Sequence, residues 1–504
     1  MCGIFFFIDD KHNNRELLKK EATKSSHRGP DNTKEISVYG EGYYIYMVFH
    51  RLSINGLNNK SDQPFRINKK ILICNGEIYN YKELQKKYNI GLITDSDCEI
   101  ILHLYEILTV KDLLNELDGV FSFIIYDELE NKVVVGHDPF GVRSLYWYKN
   151  GGNIGFSSEM KSLCEFNNNI DFFPPGSYCE YDCLNKNIKL QNYYDFIYPM
   201  IHYEYDKIPG LIKNNLKKSV EKRLLSDRPI GCLLSGGLDS SIISYLVSMK
   251  VKNVRTFSIG LEGSPDLEKA QVMADYLKTD HTSLVVSEET MLNAIEKTIK
   301  QIESYDITTI RASVPMYLLS EYIREHTDIK VVLSGEGSDE ASGSYLYFHN
   351  APNHQEFQKE CVRLLKDVHC FDVLRGDKTT AGAGLEIRVP FFDKDFIRFY
   401  MSIDPKHKMV KGSIEKYLLR KAFENDLPEE IVWRRKDGFS DGVSNSENPW
   451  YEIINEYSQK KYGMDEKDMY QMFYDKYYKD IKNIPYMWMP KWTDQKNPSG
   501  RLIL

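Results

Sequence analysis

A chain of 504 residues with 42% hydrophobic and 27% charged side chains is too long for one ordinary core and is expected to fold as two or three domains. Its formal net charge of −8 excludes the basic stripe of a nucleic-acid surface, and it has no run of about eighteen apolar residues, so neither nucleic acid nor a membrane is expected as a partner. Nine cysteines without a Cys-x-x-Cys pair read as reduced thiols in a cytoplasmic setting, with neither a disulfide framework nor a zinc site.

The chain opens Met1-Cys2-Gly3-Ile4. A small residue after an initiator permits its removal, which would leave Cys2 with a free α-amino group. A thiol ordinarily near ~8.5 beside an amine near ~7.7–8.0 gives one residue both a nucleophile and a base. Short β-branched or aromatic runs predict strands over 3–8, 43–49, 71–74, 120–126 and 133–136. Two helices interrupt them, over 15–25 and from 97 to 108. The second opens on Ser96-Asp97-Cys98-Glu99, which has capping-box spacing, and carries Ile100, Ile101, Leu104 and Ile107 on one face. Asn150-Gly151-Gly152 joins 146–148 to 154–156 as a hairpin. Pro174-Pro175-Gly176 closes this block, and 197–207 reads as a linker, which sets domain limits of 1–195 and 208–504.

Beyond the linker the rhythm changes. Leu216, Val220 and Leu224 mark a helix, 230–234 a strand, and Ile242, Ile243, Leu246 and Val247 the buried stripe of a helix starting at Leu238. A strand over 254–259, a helix over 266–277 and a strand over 331–333 continue the alternation, which calls for a parallel sheet covered on both faces. From about residue 350 the pattern reads as helical to the end.

An N-terminal nucleophile needs oxyanion donors and a substrate clamp. Asn75-Gly76, after the strand 71–74, offers a side-chain amide and a backbone N–H. Arg51 can hold a carboxylate with its guanidinium fork, and Glu77 and Asp97 can receive an ammonium group. Taken singly, each has a plainer reading: a turn, a solvated charge, or a first-turn helix acid.

Taken together, Met1-Cys2-Gly3-Ile4-Phe5, His27-Arg28-Gly29-Pro30-Asp31, Arg51-Leu52-Ser53-Ile54, Asn75-Gly76-Glu77-Ile78-Tyr79-Asn80 and Asp95-Ser96-Asp97 resemble, in order and spacing, the glutaminase domain of class II glutamine amidotransferases. The resemblance implies an Ntn-type αββα sandwich. It also implies that Cys2 attacks the glutamine amide and that Asn75 and Gly76 form the oxyanion hole. Arg51, Leu52, Ser53, Ile54, Asn55, Glu77 and Asp97 would hold the rest of the glutamine.

Downstream, a strand feeds Ser235-Gly236-Gly237-Leu238-Asp239-Ser240-Ser241 into a helix. Glycines let backbone approach closely, and a helix N-terminus presents unpaired N–H groups to an anion. Asp239 would repel phosphate unless a cation lay between them, which points to magnesium. A plain helix start is the alternative.

That motif resembles the pyrophosphate loop of AMP-forming, ATP-pyrophosphatase-type synthetases. Asp306-Ile307-Thr308-Thr309-Ile310-Arg311, Leu333-Ser334-Gly335-Glu336-Gly337-Ser338-Asp339, Gly384-Leu385-Glu386-Ile387-Arg388, Phe439-Ser440-Asp441-Gly442 and Asn497-Pro498-Ser499-Gly500-Arg501 extend the match. Joined to the N-terminal set, these motifs resemble the glutamine-hydrolysing asparagine synthetases over essentially the whole chain. The resemblance implies an α/β parallel-sheet domain of the adenine nucleotide alpha hydrolase type behind the α+β sandwich. Leu233, Ile259 and Gly335 would hold adenosine through backbone contacts, Ser235, Gly236, Gly237, Asp239 and Ser240 pyrophosphate, and Ser334 would also bind ATP. Lys436 would face the phosphates and Asp239 and Asp339 would hold Mg2+, while Thr308, Thr309 and Arg311 would bind aspartate. Glu336 would serve the acyl-adenylate. Glutamine, aspartate and ATP are the implied substrates, and a homodimer the implied assembly. The sequence departs from the family pattern at His137, where arginine is usual, at Ser144, where proline is usual, and at Ala341-Ser342-Gly343-Ser344. A relative acting on a different carboxylate, or a non-catalytic sensor of glutamine or ATP, are the competing readings.

Overall fold

The computed structural model describes residues 1–9, 15–166, 169–436, 438–445, 447–482, 484–494 and 498; apart from Pro498, the motif at 497–501 lies outside the described residues. Strand Gly3–Asp9 shows why the N-terminal half reads as an unbroken apolar run. Ile4, Phe6 and Ile8 face a second sheet, whereas Phe5 and Phe7 face helices, so both faces are buried. Each such side chain taken from water contributes about 1.5–3 kcal/mol.

Two six-stranded antiparallel sheets form the middle layers. In the first the order is Ile170–Phe172, Tyr146–Asn150, Asn153–Ser157, Gly3–Asp9, Tyr43–Arg51, Asn32–Gly40. The second runs Asn187–Asn192, Ser177–Asp182, Lys132–His137, Gly119–Asp127, Lys70–Ile78, Phe65–Ile67. Helices Tyr81–Tyr88, Ile100–Tyr105 and Val110–Glu116 cover the second sheet through Leu84, Ile101 and Leu113. The outer face of the first packs on helix Arg15–Thr23 and also on helices from the C-terminal half, including Glu288–Ile302 and Glu466–Tyr478. The expected αββα sandwich is present.

Residues 194–204 carry no regular secondary structure. After them comes a five-stranded parallel sheet in the order Asp280–Val285, Arg255–Gly260, Ile230–Leu233, Val331–Leu333, Glu386–Arg388. The chain therefore winds one way from Ile230–Leu233 and then the other, leaving a crevice at the carboxyl ends of Ile230–Leu233 and Val331–Leu333, where such sheets bind ligands. This is the expected parallel-sheet α/β unit.

Three expectations need correction. The segment after Ser96 is a 3-10 turn, Asp97–Glu99, followed by a helix that ends at Tyr105. Ser96 caps Cys98 N, while Glu99 accepts from Ile93 N and Thr94 N at 2.8 and 2.7 Å, so the capping box is not formed. The segment beyond 350 is not wholly helical, because Glu386–Arg388 supplies the fifth parallel strand.

Candidate active sites

Cys2 lies at the entrance to strand Gly3–Asp9. Its carbonyl accepts from Arg28 Nε at 2.9 Å, and its Sγ receives Leu52 N at 3.4 Å. The strand pairing that sets Gly3 opposite His50 brings the segment after Arg51 to the sulfur. Asn75 and Gly76 arrive on strand Lys70–Ile78. A Cβ at Gly76 would sit 2.5 Å from Val120 O, so the neighbouring strand demands glycine there. Asn75 is 1% exposed, yet its Nδ2 has no hydrogen-bond partner among the described residues. A buried amide donor left unmade costs about 1–3 kcal/mol, and an arriving oxyanion would satisfy it.

Arg51 is committed to its own loop. Its Nη1 donates to Asn58 O at 2.9 Å and to Asp62, and its Nη2 to Asn55 O at 3.2 Å and to Gly56 O. It orders the segment that carries Leu52, Ser53, Ile54 and Asn55 rather than presenting an open fork. Asn55 Nδ2 in turn donates to Glu77 at 2.5 Å, and Ser53 N to Asp31 at 2.8 Å. Burial and the neighbouring carboxylates of Glu386 and Asp97 push the Glu77 carboxyl well up, opposed by Arg388. Burial likewise raises Asp97 to about 6, although its carboxylate accepts Ile78 N at 2.6 Å.

With Met1 in place the pair at the terminus is mismatched. Burial pushes the Cys2 thiol up to about 11 and holds the Met1 amine, which donates to Leu385 O at 3.0 Å, down to about 5. An amine that weakly basic cannot take a proton from a thiol that weakly acidic.

In the second site, strand Ile230–Leu233 leads through Ser235-Gly236-Gly237 into helix Leu238–Ser248. Gly236 has φ +69°, and a Cβ there would lie 2.4 Å from Ala270 N, so a side chain is excluded on both counts. Ser240 Oγ accepts Ser235 N at 3.2 Å and folds the loop back on the helix. A Cβ on Gly335 would meet Asp239 C at 2.8 Å; the turn after Val331–Leu333 thus packs directly on the phosphate-type loop.

Between these turns lies a cavity of about 300 Å³. Of the ten assigned nucleotide residues, Leu233, Ser235, Gly237, Asp239, Ser240, Ile259, Ser334, Gly335 and Lys436 line it, whereas Gly236 does not. Glu336, Asp339 and Thr308 also line it, whereas Thr309 and Arg311 do not. Thr308 and Thr309 both donate to Asp306, at 2.6 and 2.8 Å. Arg311 grips Glu466 through Nε at 2.7 Å and through Nη2, a buried ion pair away from the cavity wall.

The sequence reading missed Lys416 and Arg375. Lys416 Nζ bridges Asp239 and Asp339, reaching the latter at 2.6 Å, and Lys436 joins the same Asp339 carboxylate. The two ammonium groups hold the Asp339 carboxyl far below the usual range, against a burial effect of opposite sign. Arg375, on helix Asp372–Gly382, binds Glu336 and reaches Asp372 at 2.8 Å; burial raises the Glu336 carboxyl while Arg375 opposes it. Neither residue belongs to a motif that sequence alone could single out.

Residues 1–194 match the family model for a glutamine amidotransferase domain, and residues 211–357 and 350–483 match that for asparagine synthase. The chain is 38% identical over 560 residues to the asparagine synthetase [glutamine-hydrolyzing] of Mus musculus, covering 100% of this chain and 98% of that protein. It is 39% identical over 548 residues to a probable asparagine synthetase [glutamine-hydrolyzing] of Acanthamoeba polyphaga mimivirus, covering 100% of both. Among solved structures, an allosteric regulatory enzyme of purine biosynthesis aligns with 56% of this chain and 80% of its own at 15% identity and a TM-score of 0.35.

Proposed function

The chain belongs to the glutamine-hydrolysing asparagine synthetases, and on that premise we propose how its two sites divide one reaction. It makes asparagine from aspartate in an ATP-dependent reaction with glutamine as nitrogen donor.

Residues 1–195 form the glutaminase and 208–504 the synthetase. Once Met1 is removed, the Cys2 amine takes the thiol proton and the sulfur attacks the glutamine amide. Asn75 Nδ2 and Gly76 N–H receive the oxyanion; the orphaned Asn75 donor supports this role. Arg51 shapes the loop carrying Leu52, Ser53, Ile54 and Asn55 around the glutamine backbone, and Glu77 and Asp97 take its ammonium group.

Ammonia released at Cys2 passes inside the protein, since in neutral water most of it would become ammonium and lose its lone pair. In the cavity, the aspartate β-carboxylate attacks the α-phosphorus of ATP. Pyrophosphate leaves, giving β-aspartyl-AMP, which ammonia then converts to asparagine and AMP. Glu336, raised by burial, suits the proton transfer from the attacking ammonia. Thr308 on the cavity wall fits an aspartate contact; Arg311, paired with Glu466, anchors helix Ile307–His326, which carries Thr308. Asp239 and Asp339 share one ammonium, so their carboxylates stand close enough to hold a single Mg2+, which would neutralise phosphate charge. A cytoplasmic homodimer completes the proposal; among the described residues no helix is long and apolar enough to cross a membrane.

The observation that carries the synthetase assignment is that nine of the ten nucleotide residues converge on one cavity at the switch point of the sheet. Purified protein given glutamine, aspartate, ATP and magnesium is expected to form asparagine and AMP together. Formation of ADP in place of AMP would overturn the assignment.

A further inference from the structure

His137 ends strand Lys132–His137 and is 1% exposed. Its Nδ1 lies 3.0 Å from Phe173 O and its Nε2 2.8 Å from Arg143 O. Carbonyl oxygens only accept, and a neutral imidazole carries one N–H. A neutral ring would therefore point a lone pair at a carbonyl oxygen; the doubly protonated ring makes both bonds. We propose that His137 is a positioning residue that works as an imidazolium, clamping the Arg143 carbonyl and thereby fixing the arginine that spans the two catalytic halves.

The surroundings fit a single charge on this ring. Asp138, its chain neighbour, supplies a carboxylate that accepts Phe121 N, Phe140 N, Val142 N and Arg143 N at 3.0–3.2 Å. The Tyr193 hydroxyl donates to His137 O at 2.8 Å. From the C-terminal half, the facing titratable group is His369. It donates from Nδ1 to Lys366 O at 3.0 Å and accepts the Cys370 thiol at Nε2, 3.3 Å away, which is a neutral tautomer. Burial and the nearby His137 charge together hold His369 down to about 3. A Cβ on Gly141 would meet His369 Cβ at 2.8 Å and His137 Cε1 at 3.3 Å, so the turn is packed against both rings.

Arg143 depends on this clamp. Its backbone is tied at N by Asp138 and at O by His137, and its fully buried guanidinium touches Met1 Sδ, donates to Ile387 O at 3.2 Å and stands 3.5 Å from Glu386. It thus lies beside the chain terminus and against the strand that also carries Arg388, the partner of Glu77. Arginine, expected here from the family pattern, is charged at every accessible pH. Histidine instead sets its two ring nitrogens toward two different carbonyls, Phe173 O and Arg143 O.

The catalytic consequence rests on the proposed function; the ring's protonation does not, so two measurements separate them. In the full-length protein labelled with 15N-histidine, the His137 ring, assigned by its loss in His137→Gln, is expected to show two protonated nitrogens at neutral pH. One nitrogen showing the unprotonated shift would overturn the proposal, whatever the enzyme makes. In assays with glutamine, asparagine formed per glutamate is expected to fall roughly two-fold or more in His137→Gln, whose amide cannot donate to both carbonyls, while synthesis from ammonia is kept. Equal coupling in the wild type and His137→Gln would overturn the positioning role.

Discussion

Arg28 and Asp377 form a buried ion pair that reaches from one catalytic half to the other, 2.9 Å apart at its shortest. The same guanidinium holds the Cys2 carbonyl, and Asp377 rides on helix Asp372–Gly382, two residues from the Arg375 that binds Glu336. Glu159, Lys378 and Glu303 extend the network without reaching water. A buried pair adds little net stability, but removing one partner leaves the other charge less well compensated, here with Glu159 still on Arg28 Nη1 at 2.7 Å. Asp377→Ala is expected to destabilise the protein by about 1–3 kcal/mol in denaturant unfolding, because Arg28 Nη2 loses its buried acceptor. Glutamine-dependent synthesis should fall further than ammonia-dependent synthesis, because the Arg28 guanidinium sits behind Cys2. Equal loss in the two assays would argue that the pair only holds the fold.

Asn75→Ala separates catalysis from folding. It removes a buried donor that no described residue satisfies, so thermal melting should not fall. Glutaminase kcat should drop by about 10²–10³-fold, the usual cost of one oxyanion donor. Ammonia-dependent synthesis is the internal control and should be unaffected.

Asp97 gives a pH signature. Its carboxyl is raised to about 6 by burial, so its contribution to stability is complete below its ordinary value and is lost as pH rises through about 6. Asp97→Asn, which can still accept Ile78 N, should be more stable than the wild type at pH 7 by about 2–3 kcal/mol and indistinguishable from it near pH 3.5. The same variant should raise the glutamine KM, since the charge that meets the ammonium is gone. Chemical unfolding at the two pH values and steady-state glutaminase kinetics check both halves.

Lys416→Ala tests the carboxylate pair. Asp339 is held below its ordinary range, so it stabilises the fold above about pH 4 and loses that contribution as pH falls further. Without Lys416, the stability difference between about pH 7 and pH 3 should narrow. Exchange of labelled pyrophosphate into ATP in the presence of aspartate should also collapse, while glutaminase activity persists. An unchanged exchange rate would remove Lys416 from the nucleotide site.

Much of this architecture is legible in the sequence where burial is two-sided or where a glycine is forced. Phe5-Phe6-Phe7 reads as a strand because neighbouring side chains fill different layers, and Gly236 and Gly76 mark places where backbone approaches backbone. Edge strand Asn32–Gly40 is not legible, because one face is solvated and its polar side chains break the apolar run. Strand Glu386–Arg388 hides for a different reason. Its buried charges are compensated by Arg388 meeting Glu386 locally, and by Glu77 and Arg143 from the other half of the chain, pairings with no local signal. Lys416 is similar, an isolated lysine given meaning by two aspartates far away in sequence. Ser96 misleads through its spacing to Glu99, whose carboxylate is taken by the backbone of the preceding loop.

The most direct test is Cys2→Ala, assayed for asparagine with glutamine and, separately, with an ammonium salt. If one site releases ammonia and the other uses it, synthesis from glutamine disappears while synthesis from ammonia continues at close to the wild-type rate. Loss of both activities in a folded protein, or survival of the glutamine-dependent one, would contradict that division.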